Sequence, residues 1–263
     1  MLIKAAINGG RTKAEHAAMP VSPEEQAIAV VECLKAGAGA IHLHVRSTAG
    51  LKGLDAKNES HALAKESLYS EDVARTLLAV RSAAKVEIDA AKDQIGISTG
   101  AWILPDPAAR LQVVAAWEVL PDFASVNFSE EGAVELARLL FSRGVSVEAG
   151  TCDAAAAAVF LKSGLAARCI RVLLEPQEQE MERALETVRA TEKVLDSGPV
   201  ELQRLLHGTE ATVWPMMEES IARGYGVRIG LEDTLVMPDG RVARDNAELV
   251  TEAVRRVRAA GSR

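Results

Sequence analysis

The sequence predicts an α/β chain folded as a single-domain (β/α)8 barrel, the TIM-barrel architecture, spanning residues 1–263. Two observations carry this. Short β-rich runs alternate with longer helix-like segments from one end to the other, and the alternation counts to eight units. Such alternation implies right-handed crossovers and a parallel sheet, and eight units in about 250 residues is the size of a (β/α)8 barrel. The competing open, doubly wound sheet usually carries GxGxxG after its first strand; here that turn reads NGGRTK.

In order, "LIKAAI" is the first strand. Ser22-Pro23-Glu24-Glu25 then announces a helix, with Ser as N-cap, Pro at the first helical position and acids in the first turn. Ile28, Val31 and Leu34 recur at helical spacing, and Gly37 ends the helix. "AIHLHV" is the second strand. A polar stretch from Ser47 to Lys65 follows, then a helix from about Ser70 capped by Ser-Glu-Asp. The span Lys85 to Gln94 reads either as continued helix or as a strand with an insertion.

"IGIST" precedes a helix around Asp106 to Trp117, and "FASVNF" precedes one from Glu130 to Arg143. "VSVEAG" leads into a helix over Ala154 to Ala158, and "RCIRVLL" into a long charged helix from Gln177 to Leu195. "ELQRLLHG" is followed by a helix from Ala211 to Arg223, and "GVRIG" by a last helix from Asp245 to Ala259. The stripe Trp214, Met216, Met217 is read as core.

Hydrophobic residues make up 48% of the chain and charged residues 25%, as expected of a soluble globular protein. Net charge is -7, with no basic stripe interleaved with aromatics, which argues against a nucleic-acid partner. No segment reaches a membrane span and no signal-like start is present, so the expected location is the cytoplasm with no membrane partner. Cys33, Cys152 and Cys169 form no CxxC and are read as reduced thiols.

In a barrel the active site lies at the C-terminal ends of the strands. Those ends read Asn8-Gly9-Gly10-Arg11, His42/His44/Arg46, Ser98-Thr99-Gly100, Ser125/Asn127, Glu148, Glu175, His207 and Arg228 to Asp233. Strand side chains alternate, so His42, His44 and Arg46 share one face and Ile41, Leu43 and Val45 the other. Two imidazoles at i and i+2 can offer nitrogen to one ion; the alternative is a histidine pair hydrogen-bonded into a polar interior without metal.

A third ligand is sought in "GVRIGLEDT", where Gly230 lets the chain turn and Glu232 and Asp233 follow at the mouth. Strands 2 and 8 both flank strand 1, close enough for both histidines and a carboxylate to converge, with the second acid free to serve as base. For Asp233 the alternative is an Asp-Thr cap on a turn. Ser98 and Thr99, or Ser125 and Asn127, can bind a carboxylate or enolate oxygen, and each is also a common capping residue. His207 is either a proton shuttle or structural.

"INGGRTKAEHAAMPVSPEE", "AIHLHVR", "STGAW", "SVNF" and "VRIGLEDT" together resemble the β-keto acid cleavage enzyme family, whose type member acts on 3-keto-5-aminohexanoate. The resemblance implies a homotetrameric barrel holding one divalent metal, commonly Zn²⁺. It implies conversion of a β-keto acid and acetyl-CoA into acetoacetate and a new acyl-CoA. Carried over, His42, His44 and Glu232 match the metal ligands, Asp233 the catalytic acid/base, and Arg228 the arginine that orients it and the substrate. Ser98 and Ser125 fall where the family places substrate-binding hydroxyls, and Glu148 at a matching strand end. Arg11 stands about where the type enzyme has a glutamate that meets the substrate's ammonium group, so a distal end that is anionic or neutral is expected here. Outside the family, the alternative is another metal-dependent barrel enzyme, an aldolase or hydrolase; the amidohydrolase pattern, with HxH after the first strand, is not obviously followed.

Overall fold

A computed structural model describes residues 1–47, 65–87, 94–198 and 201–261. The strands β1 (Ile3–Ala6), β2 (Ala40–Leu43), β3 (Ile95–Ser98), β4 (Phe123–Asn127), β5 (Ser146–Thr151), β6 (Arg171–Leu174), β7 (Arg204–Leu206) and β8 (Gly226–Ile229) form a closed barrel in chain order. Every neighbouring pair is parallel, and β8 closes onto β1 with Lys4 opposite Arg228. Around it lie α1 (Pro23–Ala36), α2 (Ser70–Ala83), α3 (Pro107–Ala115), α4 (Ala133–Ser142), α5 (Ala154–Lys162), α6 (Met181–Asp196), α7 (Val213–Ala222) and α8 (Asn246–Gly261). The (β/α)8 class expected from the alternation is therefore the class observed. Most of the polar stretch before α2, and the centre of the ambiguous span after it, lie outside the described residues.

Local sequence sets the helix ends where caps are strong. Ser22 and Glu25 form a full capping box at α1, with Pro23 inside it, and Gly37 ends the helix in the left-handed conformation (φ 109°). Three starts differ from expectation. Ser70 is the first helical residue, not the cap: Tyr69 holds the cap position without a side-chain bond, and Ser70 Oγ instead accepts from the Glu118 N–H at 3.0 Å. α4 begins at Ala133 because Gly132 takes a left-handed conformation just before it. α6 begins at Met181, since Gln177 is used at the barrel mouth.

The apolar core lies between barrel and helices. Ile41, Leu43 and Val45 belong to it, as do Met216, Met217 and Trp214. Inside the barrel the filling is partly ionic. Lys4, mid-strand in β1, and Arg171 on β6 both pair with Glu148 on β5, and the ion pairs are buried from solvent. Burial lowers the Lys4 ammonium to about 8 even with Glu148 beside it. Burial would raise the Glu148 carboxyl, but the two cations hold it well below the usual carboxylate range. Cys33 and Cys169 are buried free thiols, and Cys152 is half-buried. Among the described residues no helix is long and apolar enough to cross a membrane.

Candidate active site

The C-terminal ends of the strands surround a cavity of about 410 Å³. Its walls include His42, His44, Ser98, Ser125, Asn127, Glu175, His207, Arg228, Glu232 and Asp233 from the sequence reading, together with Trp102.

Two glycines shape the entry to this site. Gly9 is left-handed (φ 51°), and a Cβ there would lie 2.5 Å from Cγ of Glu232, so the NGG turn vacates the space that the glutamate occupies. A Cβ on Gly230 would lie 1.9 Å from the carbonyl oxygen of Ala6. This residue is needed for close approach to β1 rather than for a special turn conformation. The Gly230 carbonyl then accepts from the Asp233 and Thr234 N–H groups at 2.9 and 3.1 Å, which curls the chain and sends the two adjacent acids different ways. Glu232 turns to the histidines, and Asp233 to Arg228 and His207.

His42 Nε2 and His44 Nε2 face each other at 3.1 Å. Glu232 lies 3.8 Å from the first and 3.4 Å from the second, and one ligand atom from each of the three residues lies within 4.8 Å of the others. The far ring nitrogens decide what the near ones offer. His44 Nδ1 faces the Glu66 carboxylate, which only accepts, so Nδ1 carries a proton and the neutral ring has its lone pair on Nε2. Ser125 Oγ donates its single proton to Glu148 at 2.9 Å and so accepts from His42 Nδ1 at 3.2 Å, which leaves His42 Nε2 a lone pair too. With both rings neutral, two lone pairs and a carboxylate face one point, the arrangement that could hold a metal ion.

Without a cation the two imidazoles ionise differently. Burial holds the His42 imidazole well below its ordinary value. Burial also lowers His44, but Glu232 and Glu66 more than reverse it, to about 9, so without a cation its Nε2 also holds a proton, which a bound metal ion would displace. Burial would raise the Glu232 carboxyl, yet Arg228 and the two imidazoles keep it well below the carboxylate range. The buried Glu232 Oε2 has no hydrogen-bond partner among the described residues.

Asp233 is fully buried and its carboxylate is gripped by Arg228, Nε to Oδ2 at 3.1 Å and Nη2 to Oδ1 at 2.8 Å. It is thus not a cap on a turn. Burial opposes the charge on Arg228, but Asp233 and Glu232 raise its pKa above the ordinary value, so it stays cationic.

Three residues expected to meet substrate lie elsewhere. Thr99 turns its hydroxyl to the carbonyl of Ser125 at 2.6 Å. Glu148 is 0% exposed and sits beneath Ser125, its oxygens taken by Lys4, Arg171 and that hydroxyl. Arg11 pairs with Glu210 and lies 3.6 Å from Glu15, while its Nε donates to the Glu232 carbonyl at 3.1 Å. None of the three lines the cavity. The expected anionic or neutral distal end rested on Arg11 facing the substrate, and that basis is removed: its charge is satisfied by surface acids, as exposed arginines commonly are.

Sequence reasoning also missed residues. Glu66 binds His44 and accepts from Trp102 Nε1 at 3.2 and 3.1 Å, and the Trp102 ring stacks on the His44 ring with centroids 6.0 Å apart. Glu66 carried no local signal, since it lies just past a polar stretch. Trp102 stood in the quoted STGAW. Lys4 was signalled only as a lysine in an apolar strand.

A sequence profile of the β-keto acid cleavage enzyme family matches residues 1–263. No curated protein matches the chain. Among solved structures, a 3-dehydroquinate dehydratase from Geobacillus kaustophilus is similar with TM-score 0.59 and 12% identity, covering 97% of this chain and 91% of that one. A homocysteine methyltransferase from Escherichia coli is similar with TM-score 0.52 and 13% identity, covering 97% and 96%. An N-acetylmannosamine-6-phosphate 2-epimerase from Clostridium perfringens gives 0.53 and 10%, covering 89% and 87%. At these identities the likeness is one of fold, which all three share with this chain. With the profile spanning its whole length, the chain belongs to the β-keto acid cleavage enzyme family and is an enzyme acting on β-keto acids.

Proposed function

We propose that the enzyme is metal-dependent and exchanges acyl groups between a β-keto acid and acetyl-CoA, giving acetoacetate and a new acyl-CoA. The observation that carries this is the convergence of His42, His44 and Glu232 on one point, with Glu232 Oε2 left without a partner. Two imidazoles and one carboxylate with room for further ligands suit a catalytic Zn²⁺ site. A bound Zn²⁺ supplies Lewis-acid polarisation of the substrate ketone and stabilises enolate charge.

The protein's own groups do the rest. Asp233, beside the ligand glutamate and held by Arg228, is the proton acceptor and donor as the C–C bond is made and broken. Arg228 spans Asp233 and Glu232, so it fixes the base relative to the ligand set. Ser98, Ser125 and Asn127 line the cavity; the Ser98 hydroxyl has a hydrogen to offer a substrate oxygen, whereas the Ser125 hydroxyl hydrogen is given to Glu148. Trp102 screens His44 from solvent. A homotetramer is the assembly that the family resemblance implies.

The test is to incubate metal-analysed protein with acetyl-CoA and a panel of β-keto acids and to detect acetoacetate by mass. Absence of acetoacetate, with substrate consumed, overturns the exchange reaction; equal activity after chelation overturns metal dependence.

The relay behind the histidines makes a separate prediction. Ser125→Ala removes the acceptor that fixes the His42 tautomer, and Glu66→Leu the one that fixes His44. Each is expected to weaken Zn²⁺ binding by about 10–100-fold, read by competition with a chromophoric chelator. Unchanged affinity in both would show that the tautomers are not set by these partners.

A further inference from the structure

On the β4 to β7 side of the cavity, across from the ligand set, three hydrogen-bond acceptors converge without a donor. Glu175 follows β6 and lines the cavity, and among the described residues no hydrogen-bond donor reaches its carboxylate. His207 follows β7 and is 3% exposed. Its Nδ1 faces the Gly208 carbonyl at 3.0 Å, so that nitrogen carries the proton. Its Nε2 is therefore an acceptor; it is buried, has no partner among the described residues, and points at Glu175 from 3.7 Å. Asn127 donates one amide hydrogen to Glu130 at 2.9 Å, which fixes the amide orientation and leaves Oδ1 to accept. Gly150 shows how close these groups come, since a Cβ there would lie 2.6 Å from both Asn127 Oδ1 and Glu175 Oε1. The nearby cation, Arg228, is already engaged by Asp233 and Glu232.

We propose that Glu175, His207 and Asn127 form a subsite for a protonated amine at the distal end of the β-keto acid. This rests on the functional reading above and specifies its substrate. An ammonium has three N–H donors, one for each acceptor, and its charge complements the unneutralised carboxylate. A hydroxyl supplies one donor and leaves the others unmet. A methyl group leaves all three acceptors unpaired, the buried His207 Nε2 among them, the situation that sites of this kind reject most strongly. A carboxylate meets like charge. The subsite lies on strands 4, 6 and 7, whereas the Arg11 position is at the end of strand 1, so it is a distinct way of reading an amine.

The experiment measures binding to the Zn²⁺-loaded protein by calorimetry, without acetyl-CoA, for fresh β-keto acids of equal length ending in ammonium, hydroxyl, methyl or carboxylate. The ammonium compound should bind at least tenfold more tightly than the methyl compound, and Glu175→Gln should remove most of that advantage. Equal or tighter binding of any other compound by the wild-type protein overturns the proposal, and this ranking needs no variant to fold. An unchanged preference in a folded Glu175→Gln protein overturns it as well. Adding acetyl-CoA separates the two readings. Discrimination in binding with no acetoacetate sinks the exchange reaction and keeps the subsite, whereas equal acetoacetate from all four compounds sinks the subsite and keeps the reaction.

Discussion

Asp233→Asn is expected to lower turnover by about 10²–10⁴-fold while the protein keeps its metal. The amide cannot take up the substrate proton at neutral pH, and His42, His44 and Glu232 are untouched. Folding should survive, because Arg228 retains its contact with Glu232 and does not become an isolated buried charge. The measurements are kcat on the best β-keto acid and metal content per chain. Loss of metal together with activity would mark Asp233 as a ligand; full activity would remove it from proton transfer.

Glu148→Gln should be the most destabilising single change near the site. Among the described residues Glu148 alone pairs with two buried cations, Lys4 and Arg171, and breaking a buried ion pair from one side costs about 3–5 kcal/mol. At the usual sensitivity for a chain of this size, melting falls by roughly 6–20 °C. The same change weakens the acceptor for Ser125 and so the tautomer of His42. Removing one cation as well, in Lys4→Met/Glu148→Gln, should recover part of the loss, since the apolar side chain needs no counter-charge. A single variant that melts like wild type would show that the interior ion pairs are not structurally coupled.

Much of the site was legible in the sequence because strand geometry is local. Period-two alternation alone puts His42 and His44 on the face opposite Ile41 and Leu43, and the core contains only the second pair. Once eight units are counted, closure brings strand 8 next to strand 1 and hence the VRIGLEDT turn toward the histidines. The capping box at Ser22 was legible for the same reason: all its partners lie within three residues.

What the tertiary structure decided is which charged group meets which. Lys4 and Glu148 pair across 144 residues, and this pairing turns a presumed substrate ligand into the buried support of Ser125. Arg11 had a cavity and two surface acids within reach; Glu210 on the strand 7 loop, with Glu15 beside it, settled the choice. Glu175, His207 and Asn127 each read alone as ordinary strand-end residues, and only barrel closure makes them one acceptor cluster. Backbone period fixes the direction of a side chain over a few residues. Coulomb and hydrogen-bond partners act through space, so their identity follows from the closed barrel and not from any local stretch.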